Sequence, residues 1–491
     1  MVSSISLNKI RMEASNCMGG KIVTENHSVQ ILAVIFASLS AITCGIGFSW
    51  SSPFVLKISK DKQNYDISEE QAAHFTMLPF LVVMVVCPIF SKLSDVYGRK
   101  RILLVTSLVD VTVWILKATA RSVYVFYIAR LLVGVSEAIM FVALPAYLGE
   151  VSSPKIRGTW GNSMTVSFLL GELLVTVAGS YFNVWETSCI FIPIPVLFFI
   201  LFSFMPESPY FYIMRGRYDE AKMSLQRLNR KKDVTADFSS LKADVDRQMS
   251  EHGTWKETLK IDSNRRALAA ALFLRVSHIV GGGHAFVNFT QYIFDKSEGT
   301  FTTEVSSMIF MSLVVSLSIF ASLGVNWLSR RKAYMGSLIP CAAVLFIEAV
   351  YFYIHQHRPD VNINSFHWIP IVGMILYSIF SSYGINLMPT LMLGELFSTS
   401  FRLKAMSIFL VITGVMSFIA NALFYFLSSK YGLYAPFLFF SICDVISSIV
   451  CYFILPETKD RTLEEIQQLM KGNESKKSTD ENENLMCFDG N

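Results

Sequence analysis

The stretch RALAAALFLRVSHIVGGGHAFVNFTQYIF, from Arg266 to Phe294, has the length and apolar content of a membrane-spanning helix. Its first half follows an apolar helical pattern, which three consecutive glycines, 281–283, then interrupt. Polar groups and helix-weakening glycines are costly in hydrocarbon unless they face water, a ligand or another helix. The stretch is therefore predicted to line a path through a membrane.

Five polar side chains of this stretch are candidates for facing that path: Arg275, His278, His284, Asn288 and Gln291. Each histidine could bind a solute and titrate, or could simply join two helices by a hydrogen bond. Arg275 lies one helical turn before His278, where it could pair with an acidic neighbour or line the pathway. The sequence leaves both alternatives open.

The composition indicates a membrane protein. Of the 491 residues, 52% are hydrophobic and only 16% are charged, against about 25% charged in soluble proteins. The partner of much of the surface is therefore predicted to be a lipid bilayer. A net charge of +4 without a basic stripe argues against nucleic acid. The eight scattered cysteines contain no CxxC pair, so we expect no metal site. We also expect no enzyme and no cofactor, because no catalytic set or phosphate loop occurs.

Apolar windows long enough to cross a bilayer occur twelve times. The predicted spans are 29–50, 72–93, 102–119, 123–147, 160–182, 187–205, 267–294, 304–328, 334–354, 367–393, 404–427 and 432–455. Lysine and arginine cluster in the loops that follow even-numbered spans, which predicts that these loops and both termini are cytoplasmic. No cleavable signal peptide is recognised. The chain is thus predicted to be a multi-pass membrane protein.

The spans divide the chain into five parts. These are a cytoplasmic segment (1–28), a six-helix bundle (29–205), a linker of short amphipathic helices (206–266), a second bundle (267–455) and a partly disordered cytoplasmic tail (456–491).

Three motifs recur in the two bundles. SKLSDVYGRKR after the second span corresponds to VNWLSRRK after the eighth, GEVSSPKIR to GELFSTSFR, and PESP to PETK. Three ordered pairs at nearly constant offset indicate a duplicated unit. The predicted fold is therefore an all-α membrane protein with twelve transmembrane helices in two pseudo-symmetric bundles. Such halves hold a substrate at their interface and rock around it.

The charged groups Asp95, Arg99, Glu150, Arg157 and Glu207 are predicted to gather at one membrane face. A charge-assisted network there could hold the two halves together in one state and break in the other. The alternative is that these charges only determine topology.

The chain resembles the sugar porter branch of the major facilitator superfamily over about residues 29–470. The resemblance rests on SDVYGRKR, RLLVGVSEAIMFVALPAYLGEVSSPKIRG, PESPYF, GELFSTSFR and PETKDRTLEEI. Within this branch the chain resembles insect facilitated trehalose transporters and facilitative glucose transporters. It implies that the five charges form a gating network between the halves. The implied mirror residues are Arg331, Glu395, Arg402 and Glu457. The mirror is imperfect, because Asn326 and Ser329 replace the usual acidic residue and glycine.

The resemblance also implies a substrate site, in which the family carries QQxxGxN on the seventh span. The matching positions are His278, Ile279, Gly282 and His284, with Thr165, Thr390 and Thr413 on other spans. The transport machinery is therefore expected to be kept and the pocket altered. Either a sugar or polyol is held by His278, His284, Asn288, Thr390 and Thr413, or the solute is another, less polar molecule.

The predicted function is facilitated diffusion of a sugar such as trehalose or a hexose, by a monomer in the plasma membrane. The alternatives are a carrier of another small organic solute and a sensor that binds without transporting. Proton-coupled members of the family that the chain resembles carry an aspartate on the first span, whereas 29–53 contains no acid, so the resemblance disfavours proton coupling. Acids do occur inside spans, where they are functional candidates: Asp110, Glu137, Glu172, Glu348 and Asp444.

Overall fold

Helices make up nearly all of the described chain. This computed structural model describes residues 27–153, 156–157, 160–250, 262–297, 299–324, 329–358, 360, 364–396, 399–457 and 465. Most of the predicted N-terminal segment (1–28) and tail (456–491) lies outside these residues.

The first half contains eight helices that form six spans. They are α1 (Ser28–Ser49) and α2 (Ser51–Lys60), which together make the first span, α3 (Glu69–Tyr97), α4 (Arg99–Thr119), α5 (Val123–Val151), α6 (Ser163–Tyr181), and α7 (Val184–Phe191) with α8 (Pro193–Ser203), which make the sixth. The first span runs about ten residues beyond the predicted 29–50. Helix can resume there because Pro53 lies in the first turn of α2, where its missing N–H has no helical partner to lose.

Three shorter helices follow the first half: α9 (Pro209–Met214), α10 (Tyr218–Asn229) and α11 (Thr235–Ser250). They contact the first half, since Gln30 Nε2 donates to Asn229 Oδ1 at 2.9 Å and Arg227 Nη2 donates to the Phe204 carbonyl at 2.7 Å. We call this end of the bundle the linker side and the opposite end the far side.

The second half supplies the remaining six spans. Its helices are α12 (Asp262–Val280), α13 (Gly283–Asn288) and α14 (Thr290–Lys296), which make the seventh span, α15 (Thr303–Gly324), α16 (Arg330–His357), α17 (Ile369–Tyr383) with α18 (Met388–Leu396), α19 (Thr399–Lys430) and α20 (Tyr434–Ile454). Among the described residues, eleven helical segments are long and apolar enough to cross a membrane. The shorter α17, continued by α18, accounts for the tenth span, so the prediction of twelve spans is confirmed.

The two halves meet along two helix pairs, α3 with α19 and α6 with α15. At the first of these, a Cβ added to Gly414 would lie 3.1 Å from both the Met84 nitrogen and the Phe80 carbonyl oxygen. Glycine therefore allows α19 to approach the α3 backbone closely, as small residues commonly do between membrane helices. This contact brings residues of α12, α13 and α19 opposite the first half.

Candidate functional site

The seventh span breaks at its glycines. Helix α12 ends at Val280, Gly282 takes a φ of 94°, and α13 begins at Gly283. The break also needs close packing, because a Cβ on Gly281 would lie 2.5 Å from Asp444 Oδ1. Tyr377 donates its hydroxyl to the carbonyl of Gly281 at 3.1 Å and so satisfies an acceptor at the break. Glycine is therefore required at the break for two reasons, the backbone conformation of Gly282 and the close packing at Gly281.

A chain of hydrogen bonds starts from Arg275 on α12. Its Nε donates to Thr413 Oγ1 at 3.0 Å, and its Nη1 lies 3.3 Å from Nδ1 of His278. Nε2 of His278 lies 3.1 Å from Asn386 Oδ1, and Asn386 Nδ2 donates to Ser381 Oγ at 3.2 Å. A guanidinium only donates, so His278 accepts at Nδ1 and donates from Nε2, as a neutral imidazole does.

His284, on α13, lies at the boundary between the halves. Its Nδ1 is 2.8 Å from Ser417 Oγ of α19. Its ring stacks on Phe80 of α3 at 6.2 Å and meets Phe48 of α1 edge-on at 5.9 Å. The His278 and His284 rings are 5.4 Å apart. One histidine therefore contacts both halves, and the other adjoins it.

Asn288 makes packing contacts. Its Nδ2 donates to the His284 carbonyl at 3.0 Å and to Asn421 Oδ1 at 3.3 Å, and its Oδ1 accepts from Ser51 of the first half at 3.3 Å. Only 1% of its surface is exposed. The structure therefore places this predicted ligand in a contact between the halves.

The other predicted substrate residues differ in where the structure places them. Thr413 adjoins the site through its bond with Arg275. Ile279 and Gly282 are buried and Thr165 is exposed. The side chain of Thr390 lies outside the part of the chain that the structure describes. His278, His284 and Thr413 are thus the predicted residues that the fold brings together.

Aromatic rings of the first half face this polar group, and the sequence analysis did not identify them. Phe48 meets Phe80 at 5.8 Å and Phe168 at 5.4 Å, both edge-on. The chain contains 39 phenylalanines, so no pattern distinguishes these three. Aromatic faces opposite a few convergent polar groups suit a small polyhydroxylated solute.

Polar contacts join the two halves on the far side. Lys60 Nζ lies 2.7 Å from Asp295 Oδ1. Gln291 Nε2 donates to Ser180 Oγ at 3.3 Å, and the Gln291 backbone N–H donates to Ser52 Oγ at 3.4 Å. These contacts hold α2 and α6 against α14, so the far-side ends of the halves are closed on each other.

The predicted gating charges on the linker side make local contacts in this conformation. Arg99 pairs with Asp95 at 2.9 Å and with Glu150 at 3.1 Å, and the Glu207 carboxylate accepts the Lys100 backbone N–H at 3.0 Å. Asp95, Arg99 and Glu150 belong to the first half, and Glu207 follows its last helix, α8. The prediction of a network that joins the halves in one state and breaks in the other therefore stays a prediction.

The second half repeats this arrangement. Glu457 accepts the backbone N–H groups of Arg330 at 2.9 Å and Arg331 at 3.3 Å, and the hydroxyl of Ser329. Glu207 and Glu457 thus occupy equivalent helix N-termini, where unpaired N–H groups favour an anion. Arg157 donates to the carbonyls of Gly149 and Ser152. The side chains of Glu395 and Arg402 lie outside the described part of the chain.

The acids inside the spans are buried: Asp110, Glu137, Glu172, Glu348 and Asp444. Two basic residues share the interior of the first half with the first three of them. Arg130 donates to the carbonyls of Phe75 at 2.6 Å and Gly47 at 2.5 Å. Lys117 Nζ lies 4.2 Å from the centre of the Trp50 ring. These bases bind carbonyl oxygens and an aromatic ring.

Comparison with known proteins agrees with the architecture. The family model described as "Sugar (and other) transporter" matches residues 35–470. The facilitated trehalose transporter Tret1 of Polypedilum vanderplanki is 27% identical over 464 residues, covering 94% of this chain and 91% of that protein. Tret1 of Apis mellifera ligustica is 28% identical over 465 residues, covering 91% and 89%.

Two solved structures show the same fold. The inward-open xylose transporter XylE from E. coli superposes with a TM-score of 0.73 at 16% identity, covering 89% of this chain and 98% of that one. The proton:xylose symporter XylE bound to 6-bromo-6-deoxy-D-glucose gives a TM-score of 0.70 at 17% identity, covering 91% and 100%.

Proposed function

Because this chain belongs to the sugar (and other) transporter family, we propose that it is a facilitative carrier of a sugar such as trehalose or a hexose. The observation that carries the proposal is the position of His284. It faces the first-half rings of Phe80 and Phe48 while bonded to Ser417 of the second half. A solute between these walls would touch both halves, as alternating access requires.

In the proposed cycle the far-side contacts of Lys60 with Asp295 and of Gln291 with Ser180 break when the solute enters from that side. The linker-side ends then come together. In the present state Glu150 pairs with Arg99 and Glu207 accepts the Lys100 backbone N–H. In the proposal these clusters meet the equivalent groups of the other half in the alternate state. Facilitated diffusion is favoured because the first span has no acid between Val29 and Pro53.

We further propose that the linker side is cytoplasmic, with both termini on that side, and that the carrier acts as a monomer in the plasma membrane. Lys92, Lys100 and Arg101 at the linker-side ends of α3 and α4 support this orientation. The division into parts ending at residues 28, 205, 266 and 455 also remains a proposal.

Transport can be tested with the purified full chain in liposomes, using labelled trehalose and labelled glucose. Saturable uptake with counterflow of either sugar is the expected result. His284→Ala should lower uptake at least about tenfold, because it removes a group contacting both halves. Phe453→Ala, at an exposed position away from the site, serves as the control. Binding without counterflow would indicate a sensor, and absence of both would exclude these sugars.

The gating role is tested by reversing the charge of Arg157. If the linker-side clusters meet in the alternate state, Arg157→Glu should slow uptake several-fold while leaving sugar binding in place. The matched control is Arg247→Glu on α11, an exposed arginine paired locally with Asp244. Equal uptake rates in the two variants would remove the gating role.

A further inference from the structure

Arg275 is a charged group deep in a span that no described carboxylate neutralises. Its contacts are the Thr413 hydroxyl, the His278 imidazole and the face of Phe409, 5.4 Å from its guanidinium carbon. The ion pairs among the described residues, which include those of Lys60, Arg99 and Arg217, do not involve it.

Two other buried arginines bind strong hydrogen-bond acceptors. Arg99 pairs with two carboxylates. Arg130 donates to two backbone carbonyls of the first half. Arg275 bonds through the same two nitrogens as Arg130, Nε and Nη1, but its partners are a hydroxyl and a ring nitrogen. Three of its five N–H donors therefore have no partner among the described residues.

An unneutralised charge in a span is costly, and such groups generally face a cavity or a ligand. Arg275 is half-buried, and Asn386, which bonds to its neighbour His278, is exposed. Neighbouring His278 and His284 lie at the boundary between the halves. The positive charge therefore adjoins the place where the proposed solute would bind.

We propose that Arg275 is an anion subsite and that the carrier accepts monoanionic sugar acids, such as uronates or aldonates. The inference rests on the proposed function and specifies its substrate class. The carboxylate would accept two N–H bonds from the guanidinium fork. The hydroxyls would meet His278, Asn386 and His284, and the ring would lie against Phe80 and Phe48.

The single charge favours a monoanion over a phosphate ester. His278 accepts a hydrogen bond from Arg275 at Nδ1, so this imidazole is neutral in the structure. Among the described groups that contact Arg275, none adds a second positive charge. A dianionic phosphate would therefore enter the span with one charge uncompensated, which hydrocarbon strongly disfavours.

A uniporter of a monoanion moves one charge per cycle. Its solute should therefore accumulate in response to membrane potential, by about 50-fold per 100 mV at equilibrium. A neutral sugar carried by the same protein should equilibrate regardless of the potential. This difference separates an anion subsite from an arginine that only orders α12 against α19.

The test uses the full chain in liposomes, with D-glucuronate and D-glucose as probes and a valinomycin potassium potential. We expect saturable glucuronate uptake that is driven by an inside-positive potential. In Arg275→Gln, the loss of glucuronate uptake should be at least about tenfold larger than the loss of glucose uptake. Arg275→Lys should retain part of the glucuronate uptake, because it keeps the charge without the fork. The control is Arg217→Gln, an exposed arginine paired with Glu220.

Three results would overturn the inference. If glucose is transported while glucuronate is neither transported nor able to compete with glucose, the site takes no sugar acid. A loss of both uptakes by the same factor in Arg275→Gln shows that the residue only supports the fold. If neither probe is bound or carried by the unmodified protein, the proposed function fails together with the inference, and that outcome is distinct from the other two.

Discussion

Glycine residues determine how closely the spans of the first half approach one another. A Cβ added to Gly45 of α1 would lie 1.9 Å from the Phe168 carbonyl oxygen of α6. At Gly149, within α5, an added Cβ has no neighbour within 4 Å. The same residue type therefore serves close packing at one position and an open surface at the other, which the sequence does not distinguish.

Gly45→Ala should lower the free energy of unfolding by about 1–3 kcal/mol, because α1 and α6 must separate to accommodate the methyl group. Gly149→Ala is the matched control and should be neutral or stabilising by up to about 1 kcal/mol, since alanine favours helix. Thermal unfolding of both purified proteins in detergent measures the difference. Equal midpoints would show that the α1–α6 contact is looser than described.

At the scale of elements, two helix N-termini are closed in the same way. Glu207 accepts the Lys100 backbone N–H at the start of α4, and Glu457 accepts those of Arg330 and Arg331 at the start of α16. The repeated PESP and PETK motifs predicted equivalent roles in the two halves. Their chemical role as caps became clear only from the backbone contacts.

Glu207→Gln should lower the free energy of unfolding by about 1–2 kcal/mol, because the neutral amide loses the attraction of a carboxylate for the helix N-terminus. Glu220→Gln is the control, because its partner Arg217 is an exposed surface residue and such pairs contribute little. Thermal unfolding at low and moderate salt compares the two. If Glu207→Gln lowers stability no more than Glu220→Gln does, the capping role of Glu207 is contradicted.

At the scale of the whole molecule, the far-side contacts favour the present state over its alternate. The Lys60 side chain is 62% exposed and that of Asp295 is 26% exposed. A pair this accessible contributes about 0–1 kcal/mol. We therefore expect the pair to affect the ratio of the two conformations, because a free-energy difference of 1 kcal/mol changes that ratio about fivefold.

Lys60→Ala should increase the population of molecules with separated far-side ends by up to about fivefold. The double variant Lys60→Asp with Asp295→Lys exchanges the two charges and should restore the original population. Spin labels at Gln63 and Thr300, both exposed on this side, report the separation as a distance distribution. If single and double variants give the same distribution, the ion pair does not bias the conformation.

The sequence by itself determined the features that depend on local composition. Apolar length predicted twelve spans, the three glycines predicted the break in the seventh span, and repeated motifs predicted two halves, because each is written in consecutive residues. Only the span limits shifted, as at Pro53, where proline begins a helix turn instead of ending the span.

Only the tertiary structure decided which polar groups meet. Arg275 reaches Thr413 across 138 residues of chain, and His284 faces Phe80 of the other half. The rotation of each helix about its axis sets these contacts, and a span that is apolar on most sides gives that rotation little sequence signal. The local contacts of the linker-side charges have a related reason. The same residue types can bind a helix terminus or form a bridge between two bundles, and only the conformation selects between these two roles.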